Sequence, residues 1–186
     1  MDFDRPEIVL PTHFSTLSFT TAAWQANQLA ASVIGSYNWP AQEQAVYVPV
    51  VLPWDFPVFR IFVANGSSAG GNWDFGIYTR GDTSNGSAIF RTGEFAGSGN
   101  SQCQYFDVTD FLLPAGSYYF ALTNDSATTT NRVYGISTVT ANEGRVSGLL
   151  QEALGSGNSL KASTTFAQWA STGLPLCGIT RTTSGF

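Results

Sequence analysis

Short stretches of alternating apolar and polar residues, separated by turn residues, constrain the fold of this chain most strongly. In residues 45–52, apolar side chains recur at every second position, as in a strand with one buried face. Similar stretches recur about every 8–12 residues, with Gly and Pro between them, which is typical of sandwiches and barrels. The sequence therefore predicts an all-β fold, an antiparallel β-sandwich of jelly-roll type. The predicted strands are 45–52, 58–64, 73–79, 88–92, 102–108, 117–122, 133–138 and 174–180.

The two ends of the chain differ from this strand-rich middle. Residues 1–22 contain two prolines that prevent a regular helix, so we predict an extended N-terminal arm, ordered by its own domain or by a neighbour. The rest, 23–186, is predicted to be a single domain, with a short helix in 22–34. Apolar residues at 146, 149, 150, 153 and 154 have the spacing of a one-faced helix, which predicts a short C-terminal helix at about 145–155.

Few residues carry a charge. The formal net charge is −5 and only 11% of the residues are charged, against about 25% in ordinary soluble proteins. The arginines are scattered along the sequence, which argues against a nucleic-acid partner. The sequence contains no stretch of about 18 apolar residues, the length that a membrane-spanning helix needs. The first residues also lack the pattern of a secretory signal. We expect a protein that assembles in the cytoplasm, with neither a nucleic acid nor a membrane as partner.

Candidate catalytic chemistry is sparse. His13 is the only histidine, and it lies in the proline-containing arm without a Gly-x-Ser-x-Gly motif for it to serve. Cys103 and Cys177 are 74 positions apart and are predicted to be small apolar residues on strands, not a disulfide or zinc ligands. We therefore predict no enzyme activity, no catalytic residue, no cofactor and no metal.

Two groups of side chains leave alternatives open. The Asp-Val-Thr-Asp sequence at 107–110 could cap a turn, supply calcium ligands or contribute a catalytic carboxylate. Trp39, Trp54 and Trp73 stand beside turns, where a ring can stack on a sugar, fill a pocket on a protein partner or pack in the core.

Several sequence blocks carry a resemblance to a known group of proteins. The blocks are Trp39-Pro40-Ala41, Ala45-Val46-Tyr47-Val48-Pro49-Val50, Phe56-Pro57-Val58-Phe59-Arg60-Ile61, Gly71-Asn72-Trp73-Asp74-Phe75-Gly76 and Leu113-Pro114-Ala115-Gly116-Ser117-Tyr118-Tyr119. In this order, over residues 39–138, they resemble small β-sandwich proteins from the structural-gene regions of tailed bacteriophages. Those proteins include head-decoration, head-fibre and tail-associated proteins.

The resemblance implies a non-enzymatic virion protein that decorates or stabilises a capsid, or attaches to a tail, by docking on the particle lattice. Its partners would be the major capsid protein or other virion subunits, and it would form a homo-oligomer such as a trimer. The predicted localisation is the virion, assembled in the host cytoplasm. The predicted partner-contact residues are Phe14, Leu17 and Phe19 in the arm, with Trp54 and Trp73 beside turns.

A different function class remains as the alternative. In a carbohydrate- or host-receptor-binding module of a phage fibre, the loops near Trp54, Trp73 and Asn124 would form the site. A glycan hydrolase is a third class, and it requires two carboxylates about 5–10 Å apart in a cleft.

Overall fold

The computed structural model describes residues 8–9, 34–80, 84–134, 148–155, 157–168, 170 and 175–181. Within these residues the chain forms β-strands and no helix. The strands are β1 (Ile8–Val9), β2 (Ile34–Asn38), β3 (Gln44–Leu52), β4 (Phe56–Ala64), β5 (Asn72–Thr79), β6 (Asn85–Ala96), β7 (Cys103–Leu113), β8 (Gly116–Asn124), β9 (Thr130–Tyr134), β10 (Leu150–Ala153), β11 (Ser163–Thr165), β12 (Ala167–Gln168) and β13 (Cys177–Thr180).

The strands form a large sheet, a small sheet and a separate two-stranded ribbon. The large sheet has the order β11-β6-β5-β8-β3-β10-β12, the small sheet the order β1-β13-β4-β7, and the ribbon consists of β2 and β9. All paired strands are antiparallel. The prediction of an all-β, antiparallel fold is therefore confirmed.

Alternation along β3 shows why these residues form this strand. Val46, Val48, Val50 and Leu52 point into the apolar cluster shared by the two sheets, whereas Tyr47 points to the outer face of the large sheet. Pairing between β3 and β10 covers Gln44–Tyr47. Pro49 lies beyond that pairing, where its missing N–H costs no hydrogen bond to β10.

The main core lies between the large and the small sheet. Its members come from β3, β5 and β8 on one side and from β4, β7 and β13 on the other. Phe75 on β5 and Phe120 on β8 contact each other with ring centroids 5.5 Å apart, and both are completely buried. This core fixes the relative position of the two sheets.

The gap between β6 and β7 is closed by stacked rings. Phe95 stacks on Phe106 with centroids 4.8 Å apart, and Phe90 stacks on Phe111 with centroids 5.0 Å apart. The two stacks are five residues apart on each strand, so the strands run antiparallel across this seam. In the described residues no ladder joins β6 to β7. Side chains thus complete a nearly closed, barrel-like arrangement.

The predicted C-terminal helix at 145–155 is wrong where the structure describes it. Leu150–Ala153 is the strand β10, which pairs with β3 and β12. The apolar residues serve two different clusters, because Leu149 lies in the core between the sheets and Leu154 packs on the outer face of the large sheet. A spacing that resembled one helical face therefore comes from a turn followed by a short strand. Residues 145–147 and 156 lie outside the described residues.

The Asp-Val-Thr-Asp sequence lies inside β7 rather than in a turn. The register between β4 and β7 changes there, since Val58 pairs with Phe111 but Arg60 pairs with Asp107. The extra residues form a bulge, a local interruption of the ladder. Asp107 forms an exposed ion pair with Arg60. The turn-cap interpretation is wrong, although the ladder is irregular at this sequence.

Most of the predicted arm lies outside the described residues. The exception is β1, whose Ile8 pairs with Thr180 and whose Val9 pairs with Ile179 of β13. These two residues are therefore ordered by their own domain. The helix expected in 22–34 also lies outside the described residues, apart from Ile34, which begins β2.

Both cysteines are on strands, as predicted. Cys177 on β13 pairs with Val63, and Cys103 on β7 pairs with Ala64, so the cysteines flank β4 from opposite sides. Two strand spacings separate them by about 10 Å, which exceeds the Cα separation of about 7 Å that a disulfide tolerates. Burial raises the pKa of the Cys177 thiol to about 12, so this group stays protonated and unreactive.

Candidate functional site

The five predicted partner-contact residues do not form one surface in the described structure. Phe14, Leu17 and Phe19 lie outside the described residues. Trp54 is half-buried in the turn between β3 and β4. Trp73 has a relative exposure of 0%, so it packs in the core rather than on a surface that a partner can reach.

Trp73 is held in the core by a polar and an aromatic contact. Its indole Nε1 donates to Oδ1 of Asn65 at 3.0 Å, and its ring meets that of Trp39 edge-on with centroids 5.2 Å apart. Asn65 in turn donates to the carbonyl of Ser98 at 2.6 Å. A buried tryptophan needs such a partner for its N–H. The core interpretation of Trp39 and Trp73 is therefore correct.

The carbohydrate site expected near Trp54, Trp73 and Asn124 is not assembled. Trp73 pairs with Asn124 where β5 begins and β8 ends, and both residues are buried. Trp54 follows Leu52, which pairs with Gly116 at the beginning of β8. Trp54 and Trp73 therefore lie at opposite ends of the large sheet.

The end of the molecule that carries Trp54 exposes apolar side chains. Val51 on β3 and Leu112 on β7 are 48% and 59% exposed. A hydrogen bond connects the β3–β4 turn to the β7–β8 turn at this end, since Oδ1 of Asp55 accepts the backbone N–H of Ala115 at 2.8 Å. This end therefore carries isolated exposed apolar groups beside two turns that a hydrogen bond connects.

The β2–β9 ribbon belongs to neither sheet. Its base is fixed by Trp39, whose backbone N–H donates to the carbonyl of Thr129 at 2.7 Å and whose buried ring lies in the main core. At the other end Ile34 pairs with Tyr134. Residues 10–33 connect to this end at Ile34 and residues 135–147 connect at Tyr134. The ribbon therefore sets Ile34 and Tyr134, where these two segments join it, side by side.

The sequence indicated only part of this ribbon, since the predicted strand 133–138 overlaps the end of β9 and no strand was predicted at β2. In Ile34–Asn38 the order Ile-Gly-Ser-Tyr-Asn has only weak alternation, and its partner strand is almost 100 residues away.

Two buried carboxylates are engaged by structural partners. Asp74 on β5 is 1% exposed, and its Oδ2 accepts the backbone N–H of Leu160 at 2.8 Å while its Oδ1 accepts the hydroxyl of Thr92. Burial raises the pKa of Asp74 above its ordinary value, and these hydrogen bonds oppose that rise. The carboxylate is therefore a buried anchor for the segment around Leu160.

The second buried carboxylate, Glu152 on β10, is the centre of a polar cluster. Its Oε2 accepts the hydroxyls of Tyr47, at 2.8 Å, and of Thr164, and its Oε1 accepts Nζ of Lys161 at 2.8 Å. Burial raises the pKa of Tyr47, so its hydroxyl remains a donor. No spacing in the sequence indicates this cluster, because its members come from separate segments.

The described residues contain no group of three or more His, Cys, Asp and Glu side chains that could hold a metal ion. In the same part of the chain, no helix has the length and apolar character needed to cross a membrane. The buried polar side chains described above are used to join segments of the fold.

No protein family matches the sequence, and no curated protein is similar to it at a significant level.

Proposed function

We propose that this chain is a non-enzymatic structural protein of a tailed-bacteriophage virion, which docks on the lattice of a capsid or a tail. The observation that carries the proposal is the β2–β9 ribbon. It stands outside both sheets, and residues 10–33 and 135–147 connect to its end beside the Ile34–Tyr134 pair. The first of these segments contains Phe14, Leu17 and Phe19, the predicted contact residues of the arm.

The position of β1 refines how the arm takes part. Ile8–Val9 is attached to β13 and Ile34 begins the ribbon, so the segment with the three apolar residues is tethered at both ends to the same body. A tethered segment loses less conformational entropy on docking than a free tail. We therefore place the partner contact in residues 10–33 rather than at the chain terminus.

The small number of charges supports a lattice contact of apolar and neutral polar type. Only 11% of the residues are charged, and the exposed large hydrophobic side chains of the described residues are Val51, Ile89 and Leu112. Partners that bury such surfaces do not have to remove water from many charges. The major capsid protein or another virion subunit is the partner of this proposal.

We further infer that the two sheets form a β-sandwich of jelly-roll type. The chain crosses repeatedly between the sheets, since β3 is in the large sheet, β4 in the small one, β5 and β6 in the large one and β7 in the small one. The shared apolar cluster between the sheets supports face-to-face packing. Such a rigid body suits the presentation of docking segments.

The buried carboxylates support a structural rather than a catalytic role. Asp74 accepts two hydrogen bonds and Glu152 accepts three, all from other segments of the chain. A general acid or base must instead reach a substrate atom directly or through water.

The test is a binding measurement with particles of the encoding phage that lack this protein. The variant Phe14→Ser/Leu17→Ser/Phe19→Ser keeps β1 and the ribbon but removes the apolar anchors. We expect it to occupy particles at least about tenfold less than the natural chain, because each lost apolar anchor costs on the order of 1 kcal/mol. Co-sedimentation followed by quantitative mass spectrometry measures the occupancy.

The matched control is Ser15→Ala/Thr16→Ala/Ser18→Ala, which changes the polar neighbours of the same segment. Circular dichroism establishes that all forms are folded. Equal occupancy by the apolar variant and the natural chain contradicts the docking role of this segment. Binding to a glycan array without binding to particles contradicts the lattice function and favours the receptor-binding alternative.

A further inference from the structure

Residues 157–166 cross the outer face of the large sheet, and we refer to them as the strap. Beneath them lie Tyr47, Tyr78 and Tyr119, the tyrosines of that face. The Phe166 ring contacts those of Tyr47 and Tyr119, with centroids 4.9 and 5.1 Å apart. The strap thus covers an aromatic surface that the sheet would otherwise present to solvent.

Three consecutive carbonyl groups bind the strap to the sheet. The carbonyl of Leu160 accepts Nη1 of Arg91 at 2.6 Å, that of Lys161 accepts the Tyr78 hydroxyl at 2.5 Å, and that of Ala162 accepts the backbone N–H of Ala88 at 2.8 Å. Two of the three donors are side chains.

The buried carboxylates provide the complementary acceptors. Asp74 accepts the backbone N–H of Leu160, and Glu152 accepts both Nζ of Lys161 and the hydroxyl of Thr164. The approach of the strap is close, because a Cβ on Gly76 would lie 3.0 Å from Cδ1 of Leu160. Burial of the two carboxylates therefore depends on the strap being in place.

Regular strand pairing holds only part of the strap. The ladder with β6 covers Ser163–Thr165, which pair with Asn85–Ser87. In the described residues 157–162, attachment depends on individual hydrogen bonds and on the burial of Leu160. At the start of the strap, Gly157 has a φ of 98° and nothing within 4 Å of an added Cβ. A segment with few ladder bonds can open without unfolding the sheets beneath it.

We propose that the strap is a separately opening cover that uncovers the tyrosine-lined outer face of the large sheet while the two sheets stay folded. Opening breaks the bonds of residues 160–164 together, because Leu160, Lys161 and Ala162 are adjacent and share neighbouring anchors. It leaves the core between the sheets intact, since Leu160 and Phe166 pack on the opposite side of the large sheet.

The sequence supplies a specific probe of this opening. Lys161 is the only lysine of the chain, so a lysine-specific endoprotease cuts the natural protein at the strap alone. We expect cleavage of the folded protein with a rate that depends weakly on urea at low concentration, because a local opening exposes little surface. Global unfolding is followed in parallel by tryptophan fluorescence, since Trp39 and Trp73 lie in the core.

Two tyrosine variants make the test specific. Tyr78→Phe removes the hydroxyl that binds the Lys161 carbonyl, and we expect it to raise the cleavage rate about three- to tenfold, as for one lost hydrogen bond. Tyr119→Phe is the matched control on the same face, whose hydroxyl makes no described hydrogen bond to the strap, and we expect no change. Cleavage that appears only together with global unfolding overturns the proposal, and so does an equal effect of both variants.

Discussion

At the scale of single residues, Gly71 and Gly93 share a left-handed backbone but differ in their surroundings. Their φ angles are 63° and 71°. A Cβ on Gly71 would lie 2.3 Å from Oδ1 of Asp125, whereas a Cβ on Gly93 would meet nothing within 4 Å. Oδ1 of Asp125 also accepts the backbone N–H of Asn72 at 2.7 Å, so it cannot move away without losing that bond.

We therefore expect Gly93→Ala to lower the free energy of unfolding by about 1–2 kcal/mol, the cost of the left-handed backbone alone. Gly71→Ala should cost about 2–5 kcal/mol, because overpacking adds to the same backbone cost. Urea denaturation followed by tryptophan fluorescence measures both values. Equal losses for the two variants would show that the loop beside Asp125 adapts to a side chain.

The buried carboxylate of Asp74 predicts a pH dependence of stability. Burial raises its pKa in the folded protein above the value in the unfolded chain. The folded state therefore binds the proton more readily than the unfolded state. As the pH falls from the pKa of the folded state toward the pKa of the unfolded state, protonation of Asp74 increases the free energy of unfolding. At neutral pH the buried charge is a cost that protonation removes.

The variant Asp74→Asn isolates this effect, because an amide keeps an acceptor for Leu160 and does not titrate. We expect the unfolding free energy of the natural chain, relative to that of the variant, to increase as the pH is lowered from 7 toward 4. Urea denaturation at several pH values measures the difference. A difference that stays constant or moves in the opposite direction contradicts the assignment of burial as the dominant cause.

At the scale of elements, the seam between β6 and β7 depends on paired aromatic rings. Phe95 and Phe106 stack with an interplanar angle of 25°. We expect a double-mutant cycle of Phe95→Leu and Phe106→Leu to give a coupling energy of about 0.5–1.5 kcal/mol, the value of an aromatic pair beyond its buried area. Thermal or urea unfolding provides the four free energies.

The control cycle combines Phe95→Leu with Phe62→Leu, since the Phe62 ring contacts Tyr105 instead. Its effects should add. A zero coupling between Phe95 and Phe106 would mean that the seam is held by other contacts.

The elements also show what sequence patterns can and cannot determine. Strands β3, β4, β5 and β8 were predicted because each has a face in the main core, which imposes alternation on nearby residues. Strand β10 was mistaken for a helix because Leu149 and Leu154 serve clusters on opposite sides of the large sheet. The strap was not predicted, since Asp74, Tyr78 and Arg91, which hold it, are distant in sequence and carry no periodic signal.

The same limit of local sequence patterns applies to the predicted contact residues. Trp73 was proposed as a contact because it stands beside a turn, but a ring near a turn can still point into the core, as its contact with Trp39 shows. Burial depends on the positions of both sheets, which a local pattern does not contain.

At the scale of the whole molecule, the proposed function requires a rigid body and segments that dock on neighbours. The two sheets, their shared core and the covered outer face of the large sheet supply the body. The ribbon and residues 10–33, tethered at β1 and β2, supply the candidate docking part. A particle repeats such contacts many times, so a modest apolar interface per copy is sufficient.

For the proposed function, the most direct measurement is quantitative mass spectrometry of purified heads and tails of the phage that would encode this chain, separated on a density gradient. The proposal predicts that the natural chain copurifies with the heads or with the tails in a fixed ratio to a lattice subunit. It also predicts that the Phe14→Ser/Leu17→Ser/Phe19→Ser variant is depleted from that same fraction. Recovery of the natural chain only in the particle-free fraction would contradict the proposal.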